Sequence, residues 1–351
     1  MTGVPATGPH GPLSRDAAAL ALLAAHDEEP DRLAALLARH PDPRKALRAL
    51  GQKVDVDRAK AILASRRTRV FVAGDDDYPI DPDLPDRPAI LLAEGERPDA
   101  LDAPRVAIVG TRAATPHGIA DARSIAATLA EAGVTVVSGL AIGIDGAAHE
   151  GALDAGGLTV GVVATGLDVV YPRRHRILFD RVRAAGLLVS EYRYGTEPLP
   201  RRFPVRNRII AGLSQAVVVV EATLRGGARI TADAATGYGI DVLAMPGSRR
   251  NPAAAGCNAL IADGAHPLLD PSDALVALGL PQGSAKVWAT PSRPEPVGDA
   301  ARVHAALAGE PATTDQLASR TQLTNAQVAL ALASLERERW VTRSRGLIWP
   351  A

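Results

Sequence analysis

The sequence is poor in two residue types that carry much protein chemistry: it has one cysteine, Cys257, and aromatic residues make up 3% of its 351 residues. A single cysteine cannot form an intramolecular disulfide, and a lone thiol is typical of a reducing compartment, where it packs as a small buried residue more often than it acts as a nucleophile. The most apolar runs, such as "AVVVV" at 216–220, are far shorter than the roughly 18 residues that a membrane span needs. Residues 1–16 show no basic segment followed by an apolar one, so we expect no signal peptide. These absences predict a soluble, cytoplasmic protein.

Several catalytic signatures are also missing. No G-x-x-x-x-G-K-[ST] loop occurs, which excludes an ATPase of that type, and there is no G-x-S-x-G nucleophile elbow. The eight histidines form no H-x-H or H-x-x-x-H pair, so neither a metal site nor a cofactor is predicted. We expect His149 to pack or hydrogen-bond beneath a loop rather than act as a general base, Asp145 to cap a helix or brace a loop, and Glu221 to be structural in the same way. No catalytic residue is therefore predicted.

Neither sign of charge is in excess over the whole chain, which has 39 Lys and Arg residues and 39 Asp and Glu residues. Any anion-binding surface must therefore come from local clustering. Between Tyr171 and Arg208 there are ten arginines and three acidic residues, so the local excess of positive charge is ten minus three, or seven. This cluster favours an anion-binding surface, with ordinary solvated helix faces as the alternative.

Composition divides the chain into zones. Residues 1–70 have an Ala/Leu/Arg-rich helical pattern and predict a small all-helical domain. Residues 71–280 alternate short apolar runs with Ala-rich helical segments, which predicts an α/β domain with a doubly wound, mostly parallel sheet. Residues 281–298 are rich in Pro, Gly and Ser and are typical of a linker. Residues 299–351 predict three helices, two of them capped by threonine, and a two-stranded hairpin, which together make a winged helix.

Six strands are predicted in the α/β domain. They are "RVAIV" (105–109), "VTVVS" (134–138), "LTVGVVA" (158–164), "LLVS" (187–190), "AVVVV" (216–220) and "DVLAM" (241–245). Ligands of open α/β sheets bind at the carboxyl ends of the strands, near a topological switch point. The loops that follow these strands combine glycine with Ser, Thr or Arg, and this combination of adaptable backbone and forked donors suits phosphate.

The turn after the first of these strands, "VAIVGTRAATPHG" at 106–118, departs from the dinucleotide-binding fingerprint. The second glycine of G-x-G-x-x-G would stand at position 112, where the backbone approaches a pyrophosphate, but this chain has Arg112. A guanidinium suits the phosphates of a nucleic-acid backbone in a surface groove better than it suits an enclosed nucleotide. Arg112 therefore favours polynucleotide binding, with a structural salt bridge as the alternative.

Five segments together resemble the DNA-processing protein A family, also called DprA or Smf. They are 106–118, "VVSGLAIGIDGAAHEGAL" (136–153), "TGLDVVYPRRHRIL" (165–178), "SEYRYGTEPLPRRFPVRNRIIAGLS" (190–214) and "GGARITADAA…MPG" (226–247), and motifs of this kind run in the family's order from about Tyr78 to Leu269. The resemblance implies an extended Rossmann core between a helical domain of SAM or helix-hairpin-helix type and a winged helix. It further implies a homodimer without enzymatic activity that binds single-stranded DNA, protects incoming DNA in natural transformation and loads the RecA recombinase, with single-strand-binding protein as a further partner.

The resemblance also implies which residues contact or shape the DNA site. They are Gly110, Thr111, Arg112, Ser138, Gly139, Gly143, Arg173, Arg206, Asn207, Arg208, Gly226, Gly227 and Arg229. One segment departs from the family pattern: this chain has "RGGARITA" at 225–232 where S-G-[ST]-L-I-T-A is common, so a hydroxyl is lost and Arg229 is gained. Tyr171, Tyr192, Tyr194 and Phe203 are candidates for stacking on bases, although Phe203 could equally belong to the core.

Two other functions stay open. A Rossmann-like nucleotide-processing enzyme of the phosphoribohydrolase type would carry G-G-x-G-T-x-x-E, but the segment "GGARITADA" at 226–234 lacks the third glycine and the glutamate. A transcription regulator would read bases through the winged helix, but the helix predicted from Thr324 to Trp340 presents mainly "AQVALALAS". The wing, Arg343 to Arg345, could contact phosphates, and a protein-interaction role for this domain is at least as well supported.

Overall fold

The computed structural model describes residues 65–73, 75–280, 295–307, 310–338, 340–344 and 346–350. These residues fall into two compact units, and each is described by itself. Nearly all of the predicted N-terminal helical domain lies outside the described residues, and so do residues 281–294 of the predicted linker.

The first unit is built on a nine-stranded sheet. Its strands are β1 (Arg69–Val72), β2 (Ile90–Glu94), β3 (Arg105–Val109), β4 (Thr135–Ser138), β5 (Thr159–Val162), β6 (Leu187–Ser190), β7 (Ala216–Val219), β8 (Asp241–Ala244) and β9 (His266–Pro267). The strand order is β1-β2-β6-β5-β4-β3-β7-β8-β9, and all neighbours pair in parallel except β1 with β2 and β2 with β6. The six predicted strands are confirmed as β3 to β8, and the sheet is mostly parallel as expected.

Three strands escaped prediction. β1 lies across the predicted boundary at residue 70 between the helical domain and the α/β domain, and β2 follows a stretch rich in Asp and Pro that is typical of a connector. β9 has only two residues. β1 and β2 extend one edge of the sheet in antiparallel pairing, which needs no helical crossover and leaves no βα alternation in the sequence.

Seven helices and two short 3-10 helices connect the described strands. The helices are α1 (Pro116–Glu131), α2 (Ile144–Asp154), α3 (Arg176–Ala185), α4 (Arg202–Gly212), α5 (Gly227–Gly237), α6 (Ala255–Ala262) and α7 (Asp273–Ala277), and the 3-10 helices are Pro98–Leu101 and Arg173–His175. One buried cluster joins the strands to α4 and α5 through Ile209 and Ala232, and a second joins them to α3 through Phe179 and Val182. Because helices cover both faces, the parallel strands are apolar on successive residues rather than on alternate ones.

The winding of the chain puts a switch point between β3 and β7. From β3 the chain adds β4, β5 and β6 on one side, and it then returns to place β7 on the other side of β3. The loops that follow β3 and β7 therefore separate at the carboxyl edge of the sheet, which is where open α/β folds form their ligand crevice.

The second unit contains α8 (Gly298–Leu307), α9 (Thr314–Thr321), α10 (Asn325–Arg337), β10 (Val341–Ser344) and β11 (Leu347–Pro350). α9 and α10 each begin with a capping box, at Thr313 and Thr324. In each box the threonine hydroxyl accepts a hydrogen bond from the backbone N–H of the glutamine three residues later. The antiparallel β10–β11 hairpin turns through Gly346, whose φ is 76°. The predicted winged helix is thus confirmed. No helix in the described ranges is both long and apolar enough to cross a membrane.

Candidate nucleic-acid interface

A cavity of about 780 Å³ opens at the switch point between β3 and β7. Its walls come from the turn after β3, the first half of α4, and the segment that leads from β7 into α5. We call it the switch-point cavity. Eight of the thirteen residues predicted for the DNA site line it: Gly110, Thr111, Arg112, Arg206, Asn207, Gly226, Gly227 and Arg229. The remaining five, Ser138, Gly139, Gly143, Arg173 and Arg208, lie outside its lining.

The turn after β3 is held tightly against its neighbours. The backbone N–H of Thr111 donates to the carbonyl oxygen of Glu221 at 2.7 Å, which ties the turn to the end of β7. Gly143 has a φ of 88°, and a Cβ there would clash with the carbonyl oxygen of Thr111, so only glycine lets the loop after β4 approach so closely. This packing fixes the place from which the next side chain, Arg112, projects.

Arg112 lies on the rim of the cavity and is exposed. Its guanidinium carbon is 5.2 Å from the ring centroid of Phe203, within the range of a cation–π contact. It forms no ion pair with any carboxylate in the described ranges, so the alternative of a structural salt bridge is not seen there. The guanidinium is therefore available to a ligand.

Arg206 has a different environment, because its side chain is only 3% exposed. Its Nη1 donates to the carbonyl oxygens of Gly139, at 2.8 Å, and Val162. Burial lowers the pKa of Arg206 to about 10, against the opposing effect of the nearby Asp145 carboxylate. Arg206 thus holds the loops that follow β4 and β5 together at the base of the cavity, and its predicted contact with phosphate stays a prediction.

The two residues that follow Arg206 also make internal contacts. Asn207 donates through Nδ2 to the carbonyl oxygen of Gly227 at 3.0 Å and so links α4 to the start of α5. Arg208 forms a forked pair with Glu191, with N–O distances of 3.3 and 2.7 Å, and the Glu191 side chain is 1% exposed. Because Arg208 neutralises a buried carboxylate away from the cavity, the structure gives it a structural role.

Not all ten arginines between Tyr171 and Arg208 are offered to solvent, because Arg206 and Arg208 are turned inward, and an anion-binding surface formed by the others stays a prediction. Arg181 pairs with Asp154 at 2.7 Å, and Arg183 lies 3.6 Å from Glu94. Arg173, at the start of its 3-10 helix, is exposed and forms no ion pair in the described part of the chain. Helical periodicity distributes the arginines over several faces, and the strand ends draw some of them inward.

The predicted residues of the loop after β4 shape the site from behind. Ser138 is buried, and its hydroxyl donates to the carbonyl oxygen of Ile108 at 2.6 Å. A Cβ on Gly139 would lie 2.7 Å from both terminal nitrogens of Arg206, so a larger residue would displace that guanidinium. These residues fit the shaping role predicted for them.

The segment after β7 supplies a cation that sequence reasoning missed. Arg225 is exposed, lines the cavity and forms no ion pair with a described residue. Arg229, which was predicted, also lines the cavity, but its Nη2 lies 3.1 Å from Asp263 and its charge is partly compensated. Arg225 could have been identified from its position directly before Gly226 and Gly227. Where the backbone at a pair of glycines approaches a phosphate, an adjacent arginine is within reach of the same phosphate.

Two of the four aromatic candidates meet at the cavity. The ring centroids of Tyr171 and Phe203 are 5.2 Å apart, and both residues line it. Phe203 is half-buried, so it does not belong to the core. The other two candidates, Tyr192 and Tyr194, do not line the cavity. Tyr192 is buried, and Tyr194 hydrogen-bonds to Glu94.

The polar groups considered for catalysis are committed to the scaffold. The Thr159 hydroxyl donates its hydrogen to the carbonyl oxygen of Val136. The hydroxyl oxygen therefore accepts a hydrogen bond from Nδ1 of the fully buried His149, and the distance between these two atoms is 2.7 Å. Burial lowers the pKa of His149 to about 3, which keeps the ring neutral. Asp145 accepts from the N–H of Gly139 at 3.1 Å, and burial raises its pKa. Asp145 therefore braces the loop as predicted, but it does not cap α2, since Gly143 holds that position.

The single cysteine is placed as predicted. Cys257 on α6 is fully buried, and its thiol donates to the carbonyl oxygen of Val219 at 3.5 Å. Burial raises the pKa of this thiol to about 12, so it is not an activated nucleophile.

Comparison with known proteins agrees with this architecture. Residues 69–279 match the family model of DNA recombination-mediator protein A, and residues 288–346 match that of the DprA winged helix domain. A putative DNA processing protein DprA from Mycobacterium tuberculosis is 40% identical over 310 residues, which cover 82% of this chain and 78% of that protein. Protein Smf from Synechocystis is 44% identical over 214 residues, which cover 60% of this chain and 54% of that protein.

Two solved structures share the fold. The X-ray structure of DNA processing protein A from Streptococcus pneumoniae aligns with a TM-score of 0.59 at 36% identity and covers 71% of this chain and 87% of that one. DNA processing protein A from Helicobacter pylori, whose structure was solved for its single-stranded DNA binding mode, aligns with a TM-score of 0.54 at 28% identity and covers 60% of this chain and 95% of that one. Because the family model matches residues 69–279 and relatives of 40% identity align over most of the chain, this chain belongs to the DNA recombination-mediator protein A family.

Proposed function

We propose that this protein binds single-stranded DNA at the carboxyl edge of its sheet, at the switch-point cavity. The observation that carries the proposal is the pair of exposed cations on the cavity rim, Arg112 and Arg225, neither of which forms an ion pair in the described ranges. Membership of a family in which one solved relative binds single-stranded DNA supports it. We call Arg112 and Arg225 the rim arginines.

The rest of the proposed path follows from exposure and charge. Arg173 lies two residues after Tyr171, which lines the cavity, and its exposed side chain can contact the phosphate that follows. Contacts to phosphates carry no sequence information, and stacking on aromatic rings tolerates every base. We therefore expect binding that is tolerant of sequence, favours single strands and weakens strongly with salt.

We further propose that the protein acts by binding rather than by catalysis. The groups that might have served as acid or base hold loops in place: His149 is neutral and buried, and Asp145 braces the backbone next to Arg206. Protection of incoming DNA, loading of RecA, contact with single-strand-binding protein, action as a cytoplasmic homodimer and a part in natural transformation all belong to this proposal and rest on the family resemblance.

The winged helix is proposed to contact protein rather than to read duplex DNA. The exposed residues of α10 include Ala326, Ala329 and Leu330, which cannot hydrogen-bond to base edges. Arg343 on β10 pairs with Glu336 at 3.1 Å, which compensates its charge. Arg345, the other arginine predicted for the wing, lies outside the described residues.

Titration with single- and double-stranded oligonucleotides of equal length tests the proposed function. The parent protein should bind the single strand more tightly, and Arg112→Ala and Arg173→Ala should each lower that affinity by about tenfold, the effect of roughly 1.4 kcal/mol. Arg181→Ala is the matched control, because it removes an arginine of the same cluster that is already paired with Asp154. Equal affinity for both strand types, or hydrolysis of a nucleoside monophosphate by the parent, would contradict the proposal.

A further inference from the structure

The exposed side of α3 carries an isoleucine among arginines. α3 packs against the sheet through Leu178, Phe179 and Val182, which are buried. Ile177, directly before this buried group, is 77% exposed. A single exposed hydrophobic side chain needs no explanation by itself, so its surroundings decide whether it has a function.

Three exposed arginines stand directly before Ile177 or close to it in the chain. Arg173 and Arg174 belong to the 3-10 helix that leads into α3, and Arg176 is the first residue of α3. No ion pair to any of the three occurs among the described residues. Because helical residues three apart lie on one face, Arg174 and Ile177 are neighbours on the surface.

These cations do not stabilise the helix that follows them. The N-terminal end of a helix is positive, so arginines there are unfavourable, and the first turn of α3 contains no acidic residue to compensate them. The other charges of α3 are already paired: Arg181 lies 2.7 Å from Asp154, and Arg183 lies 3.7 Å from Asp180. The fold therefore does not account for the arginines that precede Ile177, and a negatively charged partner would.

The combination of arginines with an apolar side chain determines which partner fits. Guanidinium groups bind carboxylates and phosphates alike. A nucleic acid bound here would have no ring on which to stack a base, because Phe179, the one aromatic residue of α3, is fully buried. A peptide with both carboxylates and an apolar side chain would engage the arginines and also cover Ile177, and arginine clusters commonly recognise acidic motifs.

We propose that Arg174, Arg176 and Ile177 form a docking surface for an acidic peptide segment of a partner protein. The carboxylates of the peptide contact the two arginines, and an apolar side chain of the peptide packs on Ile177. We call these three residues the α3 surface. None of them lines the switch-point cavity, so the α3 surface is separate from the proposed DNA site, and Arg173, which belongs to the proposed DNA path, lies at its border.

Fluorescence anisotropy of the whole chain with three labelled peptides tests this surface. The first peptide is a run of four aspartates that ends in phenylalanine, the second has serine in place of phenylalanine, and the third has asparagine in place of every aspartate. The parent should bind the first peptide about tenfold more tightly than either of the others, because only the first has both the charges and the apolar side chain. Added salt should weaken this binding.

Substitutions on the α3 surface separate the contribution of charge from that of the apolar contact. Ile177→Ser should weaken binding of the first peptide about fivefold or more and leave the serine peptide unchanged. The double variant Arg174→Ala/Arg176→Ala should weaken both acidic peptides about tenfold and leave the asparagine peptide unchanged. The matched controls are Val297→Ser, at a valine that is 80% exposed, and Arg181→Ala, at an arginine that is already paired, and both should bind all three peptides as the parent does.

The possible outcomes distinguish this proposal from the alternatives. Equal binding of the three peptides by the parent, or an Ile177→Ser variant that binds like the parent, would refute the α3 surface. Loss of peptide binding in an Arg112→Ala/Arg225→Ala variant would place the peptide in the switch-point cavity instead. A tenfold loss of affinity for single-stranded DNA in Arg174→Ala/Arg176→Ala, with peptide binding unchanged, would assign these arginines to the DNA path and would also refute the proposal. Because DNA binding is titrated separately, failure of the α3 surface leaves the proposed function intact.

Discussion

Arg206 and Arg208 on α4, a helix that lines the switch-point cavity, and the arginines on the rim of that cavity are used by the structure in opposite ways. Arg206 and Arg208, the inner arginines, are turned toward backbone carbonyls and toward Glu191. Arg112 and Arg225 are exposed and have no ion-pair partner in the described part of the chain. The inner arginines stabilise the frame, and the rim arginines offer charge to a ligand. Substitutions at the two places should therefore affect different properties.

The largest expected effect is on folding, at the inner arginines. Arg206→Ala leaves the buried Asp145 carboxylate without its cation and two carbonyl oxygens without a donor, so the free energy of unfolding should fall by about 3–5 kcal/mol. Urea denaturation followed by circular dichroism measures this. Arg181→Ala, which breaks an exposed pair, should cost at most about 1 kcal/mol. Similar losses in the two variants would show that Arg206 is not part of the frame.

The frame should also respond to acid, through His149. Its pKa is lowered by burial to about 3, from about 6.5 in the unfolded chain, so the unfolded state binds the extra proton between these values. The stability due to the neutral ring is complete above about pH 6.5 and is lost as the pH falls, at up to about 1.4 kcal/mol per pH unit.

Unfolding of the parent and of His149→Gln between pH 4.5 and 7 tests this dependence. The variant should show a shallower loss of stability toward acid, because it has no ring to protonate. Arg112→Ala should keep the slope of the parent, since the rim does not support the core. Parallel curves for the parent and His149→Gln would exclude the histidine as the cause.

The smallest effect is expected in the winged helix. Arg343 is paired with Glu336, so Arg343→Ala should change the affinity for single-stranded DNA by less than about twofold. This corresponds to a change of less than about 0.4 kcal/mol in the binding free energy. Anisotropy titration of the full chain measures it. A tenfold loss would place part of the DNA site on this unit and would weaken the contrast between the inner and rim arginines.

The fold could be predicted from the sequence wherever local pattern and burial agree. The parallel strands β3 to β8 are buried on both faces and were recognisable as apolar runs, and Thr313 and Thr324 marked the helices of the winged helix through their capping boxes. β1 and β2 were missed because a short antiparallel extension leaves no repeating βα signal. Pattern thus predicted the centre of the sheet and missed its edge.

The site was predicted in position but only partly in detail. The loops after β3 and β7 both line the cavity at the predicted switch point, and Arg112 is exposed there as the missing glycine suggested. The inner arginines could not be told from rim arginines, because the sequence shows a charge but not whether a long side chain turns back toward a carbonyl or a buried carboxylate. The apolar pair Ile209 and Ile210, directly after Arg208, was the available sign that this part of α4 faces the core.

The central claim is that the rim arginines, and not the total charge of the basic stretch, hold the DNA strand. The most direct test is the affinity of an Arg112→Ala/Arg225→Ala double variant for single-stranded DNA, compared with an Arg181→Ala/Arg183→Ala double variant that loses the same charge from paired positions. We predict a loss of about a hundredfold or more for the rim variant and of less than about threefold for the control. Equal losses in the two variants, with both proteins folded, would contradict the claim.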